Sequence, residues 1–260
     1  MSSVVFVMID GLRPDALDKA NLPGLQRLKV EGAYTLRAQS VNPSITLPCH
    51  TSIFHSVPPS RHGIVSNEWT PQVRPIPGLI ERLNQADKRC AFFTNWEELR
   101  DLSRPGNLAF SWYANESYNL AEGDRMVTDA ALPYLQQGAF DFTFVYLGTV
   151  DSAGHAYGWM SDEYLQQAEA VDAELRKILD ALRPDASIIV HADHGGHERT
   201  HGTEMPEDMT IPYFLKGAII PAGHEIQAEV SLLDTAPTAA ALLGVGAWKE
   251  WEGKNLLGVL

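Results

Sequence analysis

Unbroken apolar runs alternate with helical spacings along most of this chain. Val4 to Ile9 is a continuous, β-branched run, the pattern of a strand covered on both faces. Leu22 to Val30 sets Leu22, Leu25 and Leu28 at helical spacing, with Gly32 as a stop. Tyr34 to Val41 reads as a second strand. Thr46 is expected to cap a helix whose first turn holds Leu47 and Pro48 and whose apolar face carries Ile53 and Phe54. Residues 58–75 read as a loop and Ile76 to Asn84 as a short helix. A third strand is expected over Arg89–Thr94. Residues 95–123 are irregular and aromatic, and read as a small insertion over the site. Asp124–Gln136 is predicted helical and Phe140–Leu147 a strand. Asp162 to Leu182 is the clearest helix, with Leu165, Ala168, Val171, Leu175, Ile178, Leu179 and Leu182 three or four apart. Ile188–Val190 marks a fifth strand, and Ile211–Leu215 and a helix over Leu232–Leu243 close the chain. This alternation predicts an α/β fold with a mostly parallel central sheet and helices on both faces. Ligands of such sheets bind beyond the carboxyl ends of the strands.

Three of these strands end in the same chemistry. The first stops at Asp10, the Phe140 strand runs out at Asp151 with His155 four residues on, and the fifth ends at Asp193-His194. A lone aspartate at a strand end is usually a turn former or a cap. Three ionised carboxylates at one sheet edge repel one another strongly, and bound cations relieve that repulsion. The segment Asp193-His194-Gly195-Gly196-His197 to His201 puts one carboxylate and three imidazoles within nine positions. Oxygen and imidazole ligands suit zinc, manganese or iron. Asp10, Asp193 and His194 suffice for one ion, and Asp151, His155 and one of His197 or His201 for a second. Two such ions clamp the attacking and leaving oxygens of a displacement at phosphorus. Thr46, at a helix N-terminus on the same edge, would supply a hydroxyl nucleophile where free N–H groups favour an anion.

Composition narrows the partners. At 260 residues and 45% hydrophobic content the chain makes one domain, 1–260, with a cap at about 95–123. A net charge of −13 argues against a nucleic-acid polymer as partner. Two cysteines, Cys49 and Cys90, make no disulfide framework and fit a reducing, cytoplasmic setting. The N-terminal MSSVVFVMIDG reads as neither signal peptide nor anchor, and no run is long enough to span a bilayer, so no membrane partner is expected. Self-association into a homo-oligomer is left open.

With these residues in place, the chain resembles the alkaline phosphatase superfamily, most closely its nucleotide pyrophosphatase/phosphodiesterase branch. The matching stretches are VVFVMIDGLRPDAL, NPSITLPCHTSIF with SRHGIVSN, VDSAGHAYG, and ADHGG followed by THG. The resemblance implies Thr46 as nucleophile, with a covalent phosphothreonine intermediate. It implies Asp10, Thr46, Asp193 and His194 around one metal, and Asp151, His155 and His201 around the other. The family usually binds zinc, and manganese is the alternative. Asn67 falls where the family has an asparagine that hydrogen-bonds a phosphoryl oxygen beside the Thr46 backbone N–H. Cys49 departs from the branch, which usually has asparagine there, and reads as a small packed residue.

The expected activity is therefore hydrolysis of small phosphate esters, phosphodiesters or nucleotide pyrophosphates first. Alternatives are a phosphomonoesterase, a phosphonoacetate or sulfate-ester hydrolase, or a non-catalytic metal- or ligand-binding relative. A mutase is set aside because this length leaves no room for the extra domain of the related mutases. His197 to His201 also spells H-E-x-x-H, but glycines on both sides argue against the helix that motif needs. His50, His55, His62 and Asp15 read as structural, with Asp15 as a helix cap. Trp69, Trp96, Trp112, Tyr113 and Trp159 could stack on a nucleobase or other aromatic leaving group, but each taken singly reads as packing.

Overall fold

The computed structural model describes residues 3–260. Its first strand, β1 (Val4–Ile9), is buried at every position. A 3-10 turn and α1 (Pro23–Glu31) lead to β2 (Ala33–Gln39), then to α2 (Thr46–His55), the short α3 (Pro59–His62) and α4 (Leu79–Asn84). Next come β3 (Cys90–Thr94), β4 (Phe110–Tyr113), α5 (Gly123–Gln137), β5 (Phe142–Leu147) and α6 (Thr149–Tyr157). The long α7 (Asp162–Ala181), β6 (Ser187–His191), α8 (Pro206–Met209), β7 (Thr210–Lys216), β8 (His224–Glu225) and α9 (Thr235–Leu242) complete the chain.

The strands form one eight-stranded sheet in the order β4-β3-β5-β1-β6-β7-β2-β8. All pairings are parallel except those of β7 with β6 and β2. The unbroken apolar run of β1 is explained by its place between β5 and β6, with helices above and below. The helices fall into two contacting sets, α1, α5, α6 and α7 on one face and α2, α3, α4 and α9 on the other. Phe54 of α2 packs its ring 5.0 Å from Phe144 and 5.4 Å from Phe92. That contact seats on the sheet the helix that Thr46 begins.

Several expectations change in detail. Ile45, not Thr46, is the N-cap of α2, and Thr46 is its first helical residue. The loop at 58–75 contains α3, and the next helix starts at Leu79, because Pro75 and Pro77 hold the preceding residues extended. Residues 95–123 supply β4, which pairs with β3 and extends the sheet edge. Its alternating half-exposed pattern is that of an edge strand. The stretch after the Phe140 strand, for which the sequence predicts no element, forms α6. Asp15 is not a cap: Arg13 precedes Pro14 at that turn, and Asp15 pairs with the Arg13 guanidinium at 2.6 Å. Among the described residues no helix is long and apolar enough to cross a membrane.

Candidate metal centre

The parallel register carries β1, β5 and β6 to a common edge, and β2 delivers α2 to it. Asp10 follows β1 directly. Gly11 follows with φ +69°, and a Cβ there would sit 2.9 Å from the Asp151 Cα. Only glycine lets the β1 end approach α6 so closely. Asp193 and His194 follow β6, and both are fully buried.

These side chains converge. His194 Nε2 lies 3.4 Å from Asp10 Oδ1, 3.4 Å from Asp193 Oδ2 and 3.2 Å from Thr46 Oγ1. Asp151 and His155, four apart on α6, meet His201 from the loop after β6. His155 Nε2 is 3.5 Å and His201 Nε2 is 3.6 Å from Asp151 Oδ1. The sets Asp151–His155–His201 and Asp10–Asp151–His194 each bring their ligand atoms within 4.8 Å of one another, so Asp151 borders both.

Hydrogen bonding shows what these atoms are prepared for. Asp10 Oδ1, Asp151 Oδ1 and Asp193 Oδ2 are buried and have no hydrogen-bond partner. Each of the three histidines gives its Nδ1–H to a backbone carbonyl: His194 to Gly195 at 2.8 Å, His155 to Arg199 at 3.0 Å, His201 to Ser44 at 2.8 Å. This leaves each Nε2 as the ring nitrogen turned toward the site. Two of them, on His155 and His201, face each other at 3.2 Å. Inward lone pairs and orphaned carboxylate oxygens form a donor set that fits divalent ions, with the ring nitrogens oriented from behind as metal-ligating histidines are.

The electrostatics point the same way. Burial, reinforced by Asp193 and Asp151, holds the Asp10 carboxyl well above the usual carboxylate range. Burial pushes Asp151 and Asp193 up to about 7, with Asp151 adding to the rise at Asp193. Burial and neighbouring imidazoles hold His194 well below the ordinary imidazole value. Burial lowers His201 to about 4. Positive charge placed between these groups would reverse those shifts for the carboxylates.

Asn67 is exposed, and its Oδ1 accepts the Leu47 N–H at 3.0 Å, which brings the carboxamide to the start of α2. His197 stays outside the cluster. Its Nδ1 binds Asp208 Oδ1 at 2.7 Å, and its backbone closes a turn with Thr200. Residues 197–201 form that turn and not a helix, so the H-E-x-x-H spacing has no shared face. Cys49 is buried and 3.3 Å from Ser40 Oγ.

Some contributors were not foreseen. Tyr146 gives its hydroxyl to Asp10 Oδ2, and a phenol in a fully buried strand needs such a partner. His50, read as structural, lies behind Asp193, its Nδ1 2.8 Å from Thr46 O and 3.5 Å from Asp193 Oδ2. Trp159 backs the second set, with its Nε1–H on Gly11 O at 2.9 Å and its ring edge-on to His155 and His201. Asp208 accepts His197, the Thr203 N–H and the Thr203 hydroxyl, and so shapes the loop that carries His201.

The fold and this edge define an α/β protein with a paired-ligand site of the alkaline phosphatase superfamily. The chain belongs to the type I phosphodiesterase / nucleotide pyrophosphatase family, whose sequence profile matches residues 4–98 and 82–206. Rat ectonucleotide pyrophosphatase/phosphodiesterase family member 1 is 27% identical over 209 residues, covering 72% of this chain and 23% of that protein. A 2,3-bisphosphoglycerate-independent phosphoglycerate mutase from Methanosarcina acetivorans is 31% identical over 135 residues, 50% of this chain and 26% of that protein. The chain thus spans about a quarter of the length of these relatives. Murine ectonucleotide pyrophosphatase/phosphodiesterase 5, solved in an inactive form in complex with AMP, superposes with a TM-score of 0.82 at 14% identity, covering 100% of both chains.

Proposed function

We propose that this chain hydrolyses small phosphate esters, phosphodiesters or nucleotide pyrophosphates above others, with Thr46 as nucleophile. The observation that carries this reading is the convergence of three orphaned carboxylate oxygens and three inward Nε2 atoms, one of them, on His194, 3.2 Å from the Thr46 hydroxyl. Asp10, Thr46, Asp193 and His194 would hold one divalent ion, zinc or manganese, and Asp151, His155 and His201 the other. Bound there, the ions would supply Lewis-acid charge that makes a hydroxyl or a water nucleophilic near neutral pH.

Thr46 sits at the start of a ten-residue helix, where the helix dipole favours a phosphoryl anion. Asn67 would steady one phosphoryl oxygen. In the first step the Thr46 Oγ1–P bond forms while the bond from phosphorus to the leaving oxygen breaks, and the Thr46 proton passes to solvent. In the second, a water oxygen bonds to phosphorus, the P–Oγ1 bond breaks, and Thr46 regains a proton. The AMP complex of the murine relative supports a nucleotide substrate. Net charge of −13 supports a small ester over a polymer, and two free buried cysteines support a cytoplasmic location.

The decisive test is Thr46→Ala. The variant is expected to fold, bind metal and lose turnover of aryl diesters by several orders of magnitude. Near-normal activity would sink the reading. Running aryl monoesters and sulfate esters beside the diesters assigns the substrate class within the superfamily.

A further inference from the structure

α6, which carries Asp151 and His155, cannot cap itself. The residue before it is Gly148, and a Cβ there would lie 2.8 Å from the Tyr146 ring. A Ser, Asp or Asn at that position has no room, so the first N–H groups of the helix need an acceptor from elsewhere. Asp124, near the start of α5, supplies it. Its buried carboxylate accepts the Gly148 N–H at 2.9 Å, the Thr149 N–H at 3.2 Å and the Thr149 hydroxyl at 2.6 Å. It also accepts Asn95 Nδ2–H from the end of β3 at 2.8 Å. Gln167 of α7 ties in from the other side, donating to Thr149 Oγ1 at 2.7 Å.

Asp124 thus differs from the aspartates of the metal centre. It is 4% exposed, yet both oxygens are fully engaged by donors, so it has no call for a cation. Three of its four bonds lead to the helix start, two residues before Asp151.

We propose that Asp124 is the positioning residue of the second ligand set: an acceptor borrowed from α5 that fixes the axial placement of α6 and so sets Asp151 and His155 toward His201. This rests on the reading that these three residues hold a divalent ion. Asp124→Asn keeps the shape but puts an NH2 against donors, so α6 shifts or frays at its first turn. Asp151 and His155 then lose their register with His201, while Asp193 and His194 after β6 and Thr46 on α2 keep theirs.

The test is calorimetric titration of the metal-free full chain with Zn2+, backed by amide hydrogen exchange over residues 148–157. The wild type is expected to bind two ions. Asp124→Asn is expected to weaken one by about tenfold or more, the size seen when support behind a metal ligand is lost, to leave the other within about threefold, and to speed exchange in α6. Thr149→Val, which removes one donor, is the milder variant should Asp124→Asn not fold, and its effect should run the same way. Equal weakening of both ions, or of neither, would overturn the role and leave the metal reading intact. A wild type that binds no Zn2+ would overturn both.

Discussion

The two candidate ligand sets stand on unlike supports. Asp10, Asp193 and His194 leave the ends of adjacent central strands, and their positions follow from the register of β1 with β6. They are at most 1% exposed, and Thr46 beside them is 4% exposed. Asp151, His155 and His201 come from a nine-residue helix and a loop. His155 has its side chain 44% exposed, and it is held by one bond to a backbone carbonyl and the edge-on Trp159 ring. A sheet edge cannot shift without breaking paired strands, whereas a short helix moves as a unit. The strand-end set should therefore bind its ion tightly and the helix–loop set exchange its ion more readily.

Chelation is the largest perturbation of that contrast. Removing both ions should abolish ester turnover, and stepwise return of Zn2+ should fill one set before activity reappears. Activity that rises in proportion to the first equivalent would contradict a two-ion requirement.

Single ligands come next. His155→Ala should lose one ion while costing the metal-free fold less than about 1 kcal/mol, as a surface change does. His194→Ala should also lose one ion, but it opens a buried space against the stacked His201 ring, 3.8 Å away. Its cost to the metal-free fold should be on the order of 2–4 kcal/mol. Equal costs in thermal unfolding would erase the distinction between the two supports.

Acidity tests the buried carboxylates, and Asp193 is the strand-end member of them. In the metal-free chain the Asp193 carboxyl is raised from 3.8 to about 7 by burial and by Asp151. A raised acid contributes stability below its unfolded value, and that contribution is lost as pH climbs through the folded one. Asp193→Asn cannot ionise. In chelator it should gain on the wild type as pH rises from about 4 to about 7, by a few kcal/mol at most, and hold that gain at pH 8. With Zn2+ present the order should reverse. A pH-independent gap in chelator would show that Asp193 carries no buried-charge cost.

How much of this could be read from sequence depends on where each partner lies. The strand-end aspartates were legible because each interrupts an apolar run, and an aspartate there has few other uses. The choice of His201 over His197 came from the THG resemblance; the structure pairs His197 with Asp208 instead. α6 was hidden because glycines bound its short pattern on both sides. β4 was hidden because a four-residue edge strand is half exposed and lacks an apolar run. Asp124, His50 and Tyr146 were hidden for another reason. Each looks ordinary locally and gains meaning only from a remote partner: Asp124 from Thr149, His50 from Asp193, Tyr146 from Asp10 across 136 positions.

Tyr146 gives the smallest and most selective prediction. Its hydroxyl bonds Asp10 Oδ2, which leaves Asp10 Oδ1 as the orphan facing His194. The phenol therefore decides which oxygen of Asp10 is free for an ion and in which plane it lies. Tyr146→Phe keeps the ring that packs 5.4 Å from His50 and removes only that constraint. Affinity of the strand-end set should fall about tenfold, or about 1.4 kcal/mol, as when support behind a ligand is removed. The helix–loop set should be unchanged in the same titration, which makes this variant the mirror of Asp124→Asn. If Tyr146→Phe weakens the helix–loop ion as much, then Asp151, which borders both sets, couples them, and the two supports act as one.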